Sequence, residues 1–171
     1  DAITSTVKTS NREVGKVAAE NLIALLNGKG KYAVIAHSQT DATSTERRDG
    51  FLDYMKKNAP DMEMVGEVQY SNADQAKAQD IASAILQANP DLDAIFATNE
   101  ATVVGAATPV ESALKSGHKV LLVGVDSGKA QQQYIRDGVI SGSVSQNPYQ
   151  IGYKTIENAV KSLNGEKIDK V

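Results

Sequence analysis

The chain has 171 residues, 41% of them hydrophobic and 23% charged, with 13 Gly and 4 Pro. At roughly 100 to 200 residues per domain, this implies one globular domain, or one and a fragment, and excludes disordered, collagen-like and coiled-coil classes. The balance of 18 Lys and Arg against 21 Asp and Glu, a net charge of -3, lacks the basic excess that nucleic acid or an anionic membrane would attract. With no cysteine, disulfide staples, thiolate zinc sites and a cysteine nucleophile are excluded.

No apolar run approaches the roughly 18 residues that read as a membrane span. The opening Asp1-Ala2-Ile3-Thr4-Ser5 has no signal-peptide shape. A soluble chain, processed or trimmed, is expected.

The first helix is announced by Ser10 and Glu13, a hydroxyl and a carboxylate in capping-box spacing. Val14, Val17, Ala18, Leu22, Leu25 and Leu26 then recur at helical steps until Asn27-Gly28-Lys29-Gly30 stops the element. Tyr32 to Ala36 is an unbroken apolar run, as in a strand covered on both faces. A polar loop from His37 leads to a helix predicted over Thr45 to Asn58, ended by Ala59-Pro60. Met62 to Tyr70 alternates as a strand, and Asp74 to Ala88 carries an apolar helical face. Leu92 to Ala97 is the third strand and Lys119 to Val125 the fourth, with a helical stretch from Glu100 to Lys115 between them. A short helix over Gln131 to Arg136, a fifth strand over Val139 to Ser145 and a last helix over Tyr149 to Leu163 complete the series.

Strands alternating with helices imply βαβ crossovers, and hence an α/β fold with a doubly wound parallel sheet in three αβα layers. Pro109 breaks the local rules inside its helix, where it removes a backbone hydrogen bond at a cost of about 3 kcal/mol. A kink or break is predicted near Thr108, with Thr108 capping a second short helix.

Open parallel sheets bind ligands outside the carboxyl ends of their strands. The residues there are His37, Ser38 and the loop to Arg47; Tyr70, Ser71 and Asn72; Asn99 and Glu100; Asp126 and Ser127; Gln146 and Asn147. Nearly all carry hydrogen-bonding side chains, which suits a polyol better than a phosphate or a fatty acid. Each of them could equally be a helix cap or turn residue, so the set carries more weight than its members. Arg47 is the sharper case, because the first turn of a helix disfavours a cation by about 0.3 to 1 kcal/mol.

Enzyme readings find little support. The chain has no G-x-x-x-x-G-K-[ST] and no G-x-G-x-x-G after a strand, so the phosphate-cradling loops are absent. His37, Ser38 and Asp126 lack a nucleophile elbow, and His37 and His118 lack metal-ligand spacing. No catalytic residue, metal site or cofactor is expected, and the acidic pair of a receiver domain is missing after the first strand.

The segments Thr45-Glu46-Arg47-Arg48-Asp49-Gly50-Phe51, Ala97-Thr98-Asn99-Glu100, Leu122-Val123-Gly124-Val125-Asp126 and Ser145-Gln146-Asn147-Pro148-Tyr149-Gln150-Ile151-Gly152-Tyr153, in that order, resemble one family. It is the ribose-binding-protein-like, type I periplasmic solute-binding proteins of sugar ABC transporters. The resemblance runs along nearly the whole chain. It implies two lobes that close over a sugar by a hinge, with Arg47, Asn99, Asp126 and Gln146 as ligand-binding residues of the second lobe and Asn11 as a contact or hinge residue. Asp126 would accept from two sugar hydroxyls, Arg47 would donate, and Asn99 and Gln146 would do both. Where ribose-type members present an aromatic ring after the second strand, this chain has Ala73, with Tyr70 nearby as a substitute.

The resemblance further implies that residues 10–146 are the C-terminal ligand-binding lobe. Residues 1–9 and 147–171 would be a returning strand, and a helix and tail, of a first lobe that is missing. Tyr149, Ile151, Tyr153, Ile156 and Val160 would then expose apolar surface unless they repack on the lobe or on another copy, as in a swapped homodimer. The implied partners are a small-molecule sugar, the missing N-terminal lobe and the permease of an ABC transporter. The implied location is periplasmic or extracytoplasmic, lipoprotein-anchored in a Gram-positive cell. The alternative is the effector-sensing domain of a lactose-repressor-type transcription regulator. Arg136 to Gln146 resembles the transport branch more closely.

Overall fold

A computed structural model describes residues 4–168, so the outermost residues of both expected first-lobe flanks, 1–3 and 169–171, lie outside the described residues. Two compact units divide the chain. One carries Asn11–Ser145 and the other the stretches on either side of it.

The larger unit is built on β1 (Gly30–Ala36), β2 (Met62–Met64), β3 (Gln69–Tyr70), β4 (Ala94–Ala97), β5 (Leu121–Val125) and β6 (Gly142–Val144). All pairings are parallel, in the order β2-β1-β4-β5-β6, with β3 also on β1. The helices are α1 (Asn11–Leu25), α2 (Ala42–Asn58), α3 (Gln75–Ala88), α4 (Glu100–Lys115) and α5 (Lys129–Arg136). Helices α1 and α2 pack together, as do α3 and α4, with α5 beside α4.

Successive strand residues feed opposite faces of the sheet. Tyr32, Val34, Phe96, Val123 and Val125 join Val14, Ala18, Leu22, Phe51 and Met55 of α1 and α2 in one core. Ala33, Ile35, Ile95, Ala97 and Leu122 join Ala82, Val103, Ala106 and Val110 of α3 and α4 in the other. This is the three-layer, doubly wound arrangement expected from the unbroken apolar strands.

Four local readings need correction. The second strand is two pieces, β2 against Gly30–Tyr32 and β3 against Ile35–Ala36, separated by a stretch in which Gly66 takes a left-handed φ of 63°. Helix α2 starts at Ala42 rather than Thr45, because the Asp41 carboxylate accepts from the Ser44 N–H and caps it. The fifth strand shrinks to Gly142–Val144, since the N–H groups of Val139 and Ile140 both turn back to the Tyr134 carbonyl and close the end of α5. Helix α4 is not broken at Thr108, and it runs through Pro109 to Lys115. Val103, Ala106, Ala107 and Val110, all fully buried, pin it to the sheet on both sides of the proline. Burying several such side chains offsets a loss of about 3 kcal/mol.

In the smaller unit, α6 (Pro148–Leu163) begins at Asn147, whose side chain accepts from the Gln150 N–H. It has no buried residue, and Tyr149, Tyr153, Ile156, Val160 and Leu163 are exposed by 51 to 88%. Ile151, expected to be exposed with them, is half-buried instead. Among the described residues, no helix is long and apolar enough to cross a membrane.

Candidate functional site

The strand order reverses direction between β1 and β4, and ligands of such sheets bind at the crevice this opens. His37 follows β1 and Thr98 follows β4. The Thr98 Oγ1 accepts from the His37 backbone N–H at 2.9 Å and lies 2.7 Å from His37 Nδ1. The loop leaving β1 is folded on itself, with the Ser44 hydroxyl accepting from the Ser38 N–H and donating to the Ser38 carbonyl. That turn starts α2 and places Arg47 over the crevice.

Arg47 is 3% exposed. Its Nε donates to Asn11 Oδ1 at 3.0 Å and its Nη1 to the Thr98 carbonyl at 2.8 Å. Asn11, itself buried at the start of α1, therefore holds the guanidinium. The Asp126 carboxylate stands 3.9 Å from Nη1. Burial draws the Arg47 pKa below its ordinary value, while Asp126 and Asp41 pull it back up. An arginine stays protonated throughout. Among the described residues its Nη2 makes no hydrogen bond.

Asp126 lies just past β5 with a left-handed φ of 81°, a conformation that Asp tolerates better than most residues. Several bonds fix it. Its N–H donates to the Val144 carbonyl, its carbonyl accepts from the Ser143 hydroxyl at 2.7 Å, and its Oδ2 accepts from the Glu100 N–H at 3.0 Å. That last bond sets the carboxylate at the positive end of the α4 dipole. Beneath it, the fully buried Gln131 donates through Nε2 to the Val125 carbonyl and to Ser143 Oγ, tying β5 and β6 together.

Asn99 is the N-cap of α4. Its Oδ1 accepts from the Thr102 N–H at 3.0 Å and from the Thr102 hydroxyl at 2.6 Å. The expectation that Asn99 would both donate and accept toward a ligand is thereby narrowed. Its oxygen serves the helix, and the amide group is what it can offer.

The larger unit thus brings Arg47, Asn11, Asn99 and Asp126 together around Thr98 and the first turn of α4. Tyr70 ends β3, where its hydroxyl accepts from Arg48 Nη1 at 3.0 Å, and among the described residues no hydrogen bond links it to Arg47, Asn11, Asn99 or Asp126. Gln146 belongs to the smaller unit, where its Oε1 accepts from the Thr9 hydroxyl at 2.8 Å. Among the described residues no group of three or more side chains could hold a metal ion.

The residues sequence reasoning missed are Thr98 and Gly15. Thr98 acts through its carbonyl and a buried hydroxyl, neither of which a pattern of side chains announces. Gly15 lies where α1 crosses α2, and a Cβ there would sit 2.0 Å from the Arg47 carbonyl oxygen. The small-residue pair Gly15 and Gly50 was the available signal for that close crossing.

The family profile described as periplasmic binding protein domain matches residues 1–167. The chain belongs to that family. Among relatives of this periplasmic binding protein, the D-allose-binding periplasmic protein of Escherichia coli is 33% identical over 95% of the chain and 51% of its own length. The ribose import binding protein of Escherichia coli is 28% identical over 97% of the chain and 54% of its own length. The chain therefore spans about half the length of these relatives. A solute-binding protein from Agrobacterium vitis, solved with D-fucose, superposes with a TM-score of 0.88 at 32% identity, covering 98% of this chain and 57% of that one. One from Agrobacterium radiobacter with D-arabinose gives 0.90 at 28% identity, over 99% and 59%. This periplasmic binding protein chain is thus a ribose-binding-like lobe of the type I fold.

Proposed function

We propose that the chain is the sugar-gripping lobe of an extracytoplasmic solute-binding protein. In this reading it delivers a neutral sugar to the permease of an ABC importer and closes on it with a second lobe through a hinge. The observation that carries it is the Arg47 guanidinium, buried and anchored by Asn11 and Thr98 with Nη2 still unspent, beside Asp126 at the reversal of the sheet. A cation and a carboxylate this close present both donor and acceptor with no net charge, which matches hydroxyls and not phosphate. The Asn99 amide adds donors on the same rim.

In this reading residues 10–146 form the binding lobe, while 1–9 and 147–171 complete the partner lobe. Gln146 offers its side-chain amide to the sugar, and Tyr70 supplies an aromatic face. The named relatives bind sugars for transport, in keeping with a binding role and not an enzymatic one.

The test is a titration of D-allose, D-ribose and D-fucose into the 15N-labelled chain. Shifts are expected at the amides of Thr98, Asn99, Glu100 and Asp126 with at least one sugar, and Arg47→Met abolishes them. Affinity is expected to be weaker than micromolar by orders of magnitude, because the contacts of the other lobe are missing. Silence at those amides with all three sugars overturns the reading of the site. Micromolar or tighter binding by calorimetry overturns the need for a second lobe.

A further inference from the structure

The hydroxyl proton of Thr98 has one recorded destination. Thr98 is fully buried, and both contacts of its Oγ1 are with His37: the backbone N–H it accepts at 2.9 Å and the ring Nδ1 at 2.7 Å. Were Nδ1 protonated, it would donate to Oγ1, and the buried hydroxyl proton would lose its acceptor, at a cost comparable to a lost hydrogen bond. The network is complete only when Thr98 donates to a bare Nδ1 and the ring proton sits on Nε2. There it faces Asp41 Oδ1, 3.6 Å away.

The same Thr98 accepts Arg47 Nη1 at its carbonyl. We infer that His37 is a positioning residue of the site: its neutral, Nδ1-accepting ring holds Thr98, Thr98 holds Arg47 Nη1, and protonating the ring loosens that second anchor of the guanidinium while Asn11 keeps the first. A hydrogen on Nδ1 turns the Thr98 hydroxyl away and sets a second cation beside Arg47.

The charged groups acting on the ring come from α2 and its cap, Arg47 and Asp41, and from the end of β5, Asp126; β4 contributes the uncharged Thr98. Burial pushes the imidazole below its ordinary value of 6.5, Arg47 adds to that, and Asp41 and Asp126 oppose it. The ring is therefore neutral near physiological pH and charges only on acidification.

The sugar-binding reading gives this device its use, but the experiment works without sugar. The chain has two histidines, so imidazole 15N spectra resolve both, and His118 serves as an internal comparison. His37 is expected as the Nε2–H form with a midpoint below 6.5. The Arg47 Nε–H resonance, held by Asn11, moves with that same midpoint. In His37→Asn, whose side-chain carbonyl offers a non-titrating acceptor to Thr98, the Arg47 resonance stays still across the range.

An Nδ1–H tautomer, a midpoint at 6.5 or above, or an Arg47 signal indifferent to His37 overturns the inference, and the unsubstituted chain alone decides all three. Arg47 still moving in a folded His37→Asn chain overturns it as well. A chain that shows this coupling yet ignores D-allose, D-ribose and D-fucose at neutral pH fails the sugar reading and leaves His37 coupled to Arg47.

Discussion

A Cβ built on Gly15 would stand 2.0 Å from the backbone carbonyl oxygen of Arg47. A Cβ on Gly50 would meet the Arg12 carbonyl oxygen at 2.2 Å from the other side of the same crossing. Helices α1 and α2 touch backbone to backbone, and this contact puts Asn11 within reach of the Arg47 side chain. Gly15→Ala is expected to destabilise by about 1 to 3 kcal/mol, because overpacking against immobile backbone outweighs the gain in helix propensity of about 1 kcal/mol. Urea unfolding checks the sign. The same change at Gly152 in α6, where nothing lies within 4 Å, should instead raise helix content.

Arg47→Met removes the donors that satisfy Asn11 Oδ1 and the Thr98 carbonyl. The stranded acceptors should cost about 1 to 3 kcal/mol in denaturant unfolding. Arg47→Lys is expected to recover little of this, since one ammonium does not reproduce the planar fork that spans both partners.

Asn99 carries two separable duties. Asn99→Ala should cost about 1 kcal/mol through the lost cap of α4. Asn99→Asp keeps an acceptor for Thr102 and suits the helix dipole, yet it loses the amide donors. It is expected to unfold like the parent chain while the amide shifts induced by D-ribose or D-allose shrink. Equal sugar responses in parent and variant would leave Asn99 as a cap alone.

The depressed His37 value has a signed consequence for stability. Above 6.5 the ring is neutral in both folded and unfolded chains and carries no penalty. As pH falls through 6.5 the unfolded chain takes up a proton that the folded chain refuses, so stability declines until the lower folded midpoint is passed. Urea midpoints measured across this window should fall with acid. His37→Asn should flatten that part of the slope.

The apolar face of α6 is exposed along its length, with Tyr149 at 74% and Ile156 at 66%. Sedimentation velocity of the chain should show association that rises with concentration, and Ile156→Glu with Val160→Lys should suppress it. A monomer at every concentration, with α6 flexible, would remove the case for repacking on another copy.

Much of this molecule was legible from local chemistry. The apolar runs at Tyr32–Ala36 and Leu122–Val125 read as covered strands because both faces are core, and the helical faces of α1 and α3 read from their period. The placement of Asp126 and Asn99 just beyond the carboxyl ends of β5 and β4 was legible because each closely follows an apolar run. What escaped was whatever depends on partners distant in sequence. The break between β2 and β3 was hidden because the alternation continues across Gly66, whose backbone is left-handed. The intact α4 comes from core burial overriding Pro109. The grip on Arg47 runs through a backbone carbonyl, which every residue possesses.

The divided β2 and β3 have one more effect. Among the described residues the sheet is bordered by β2 and β3, three and two residues long, on one side and by the three-residue β6 on the other. A foreign strand adding to either border would find a few backbone groups in line before the ladder stopped, too short a template for growth of a shared sheet.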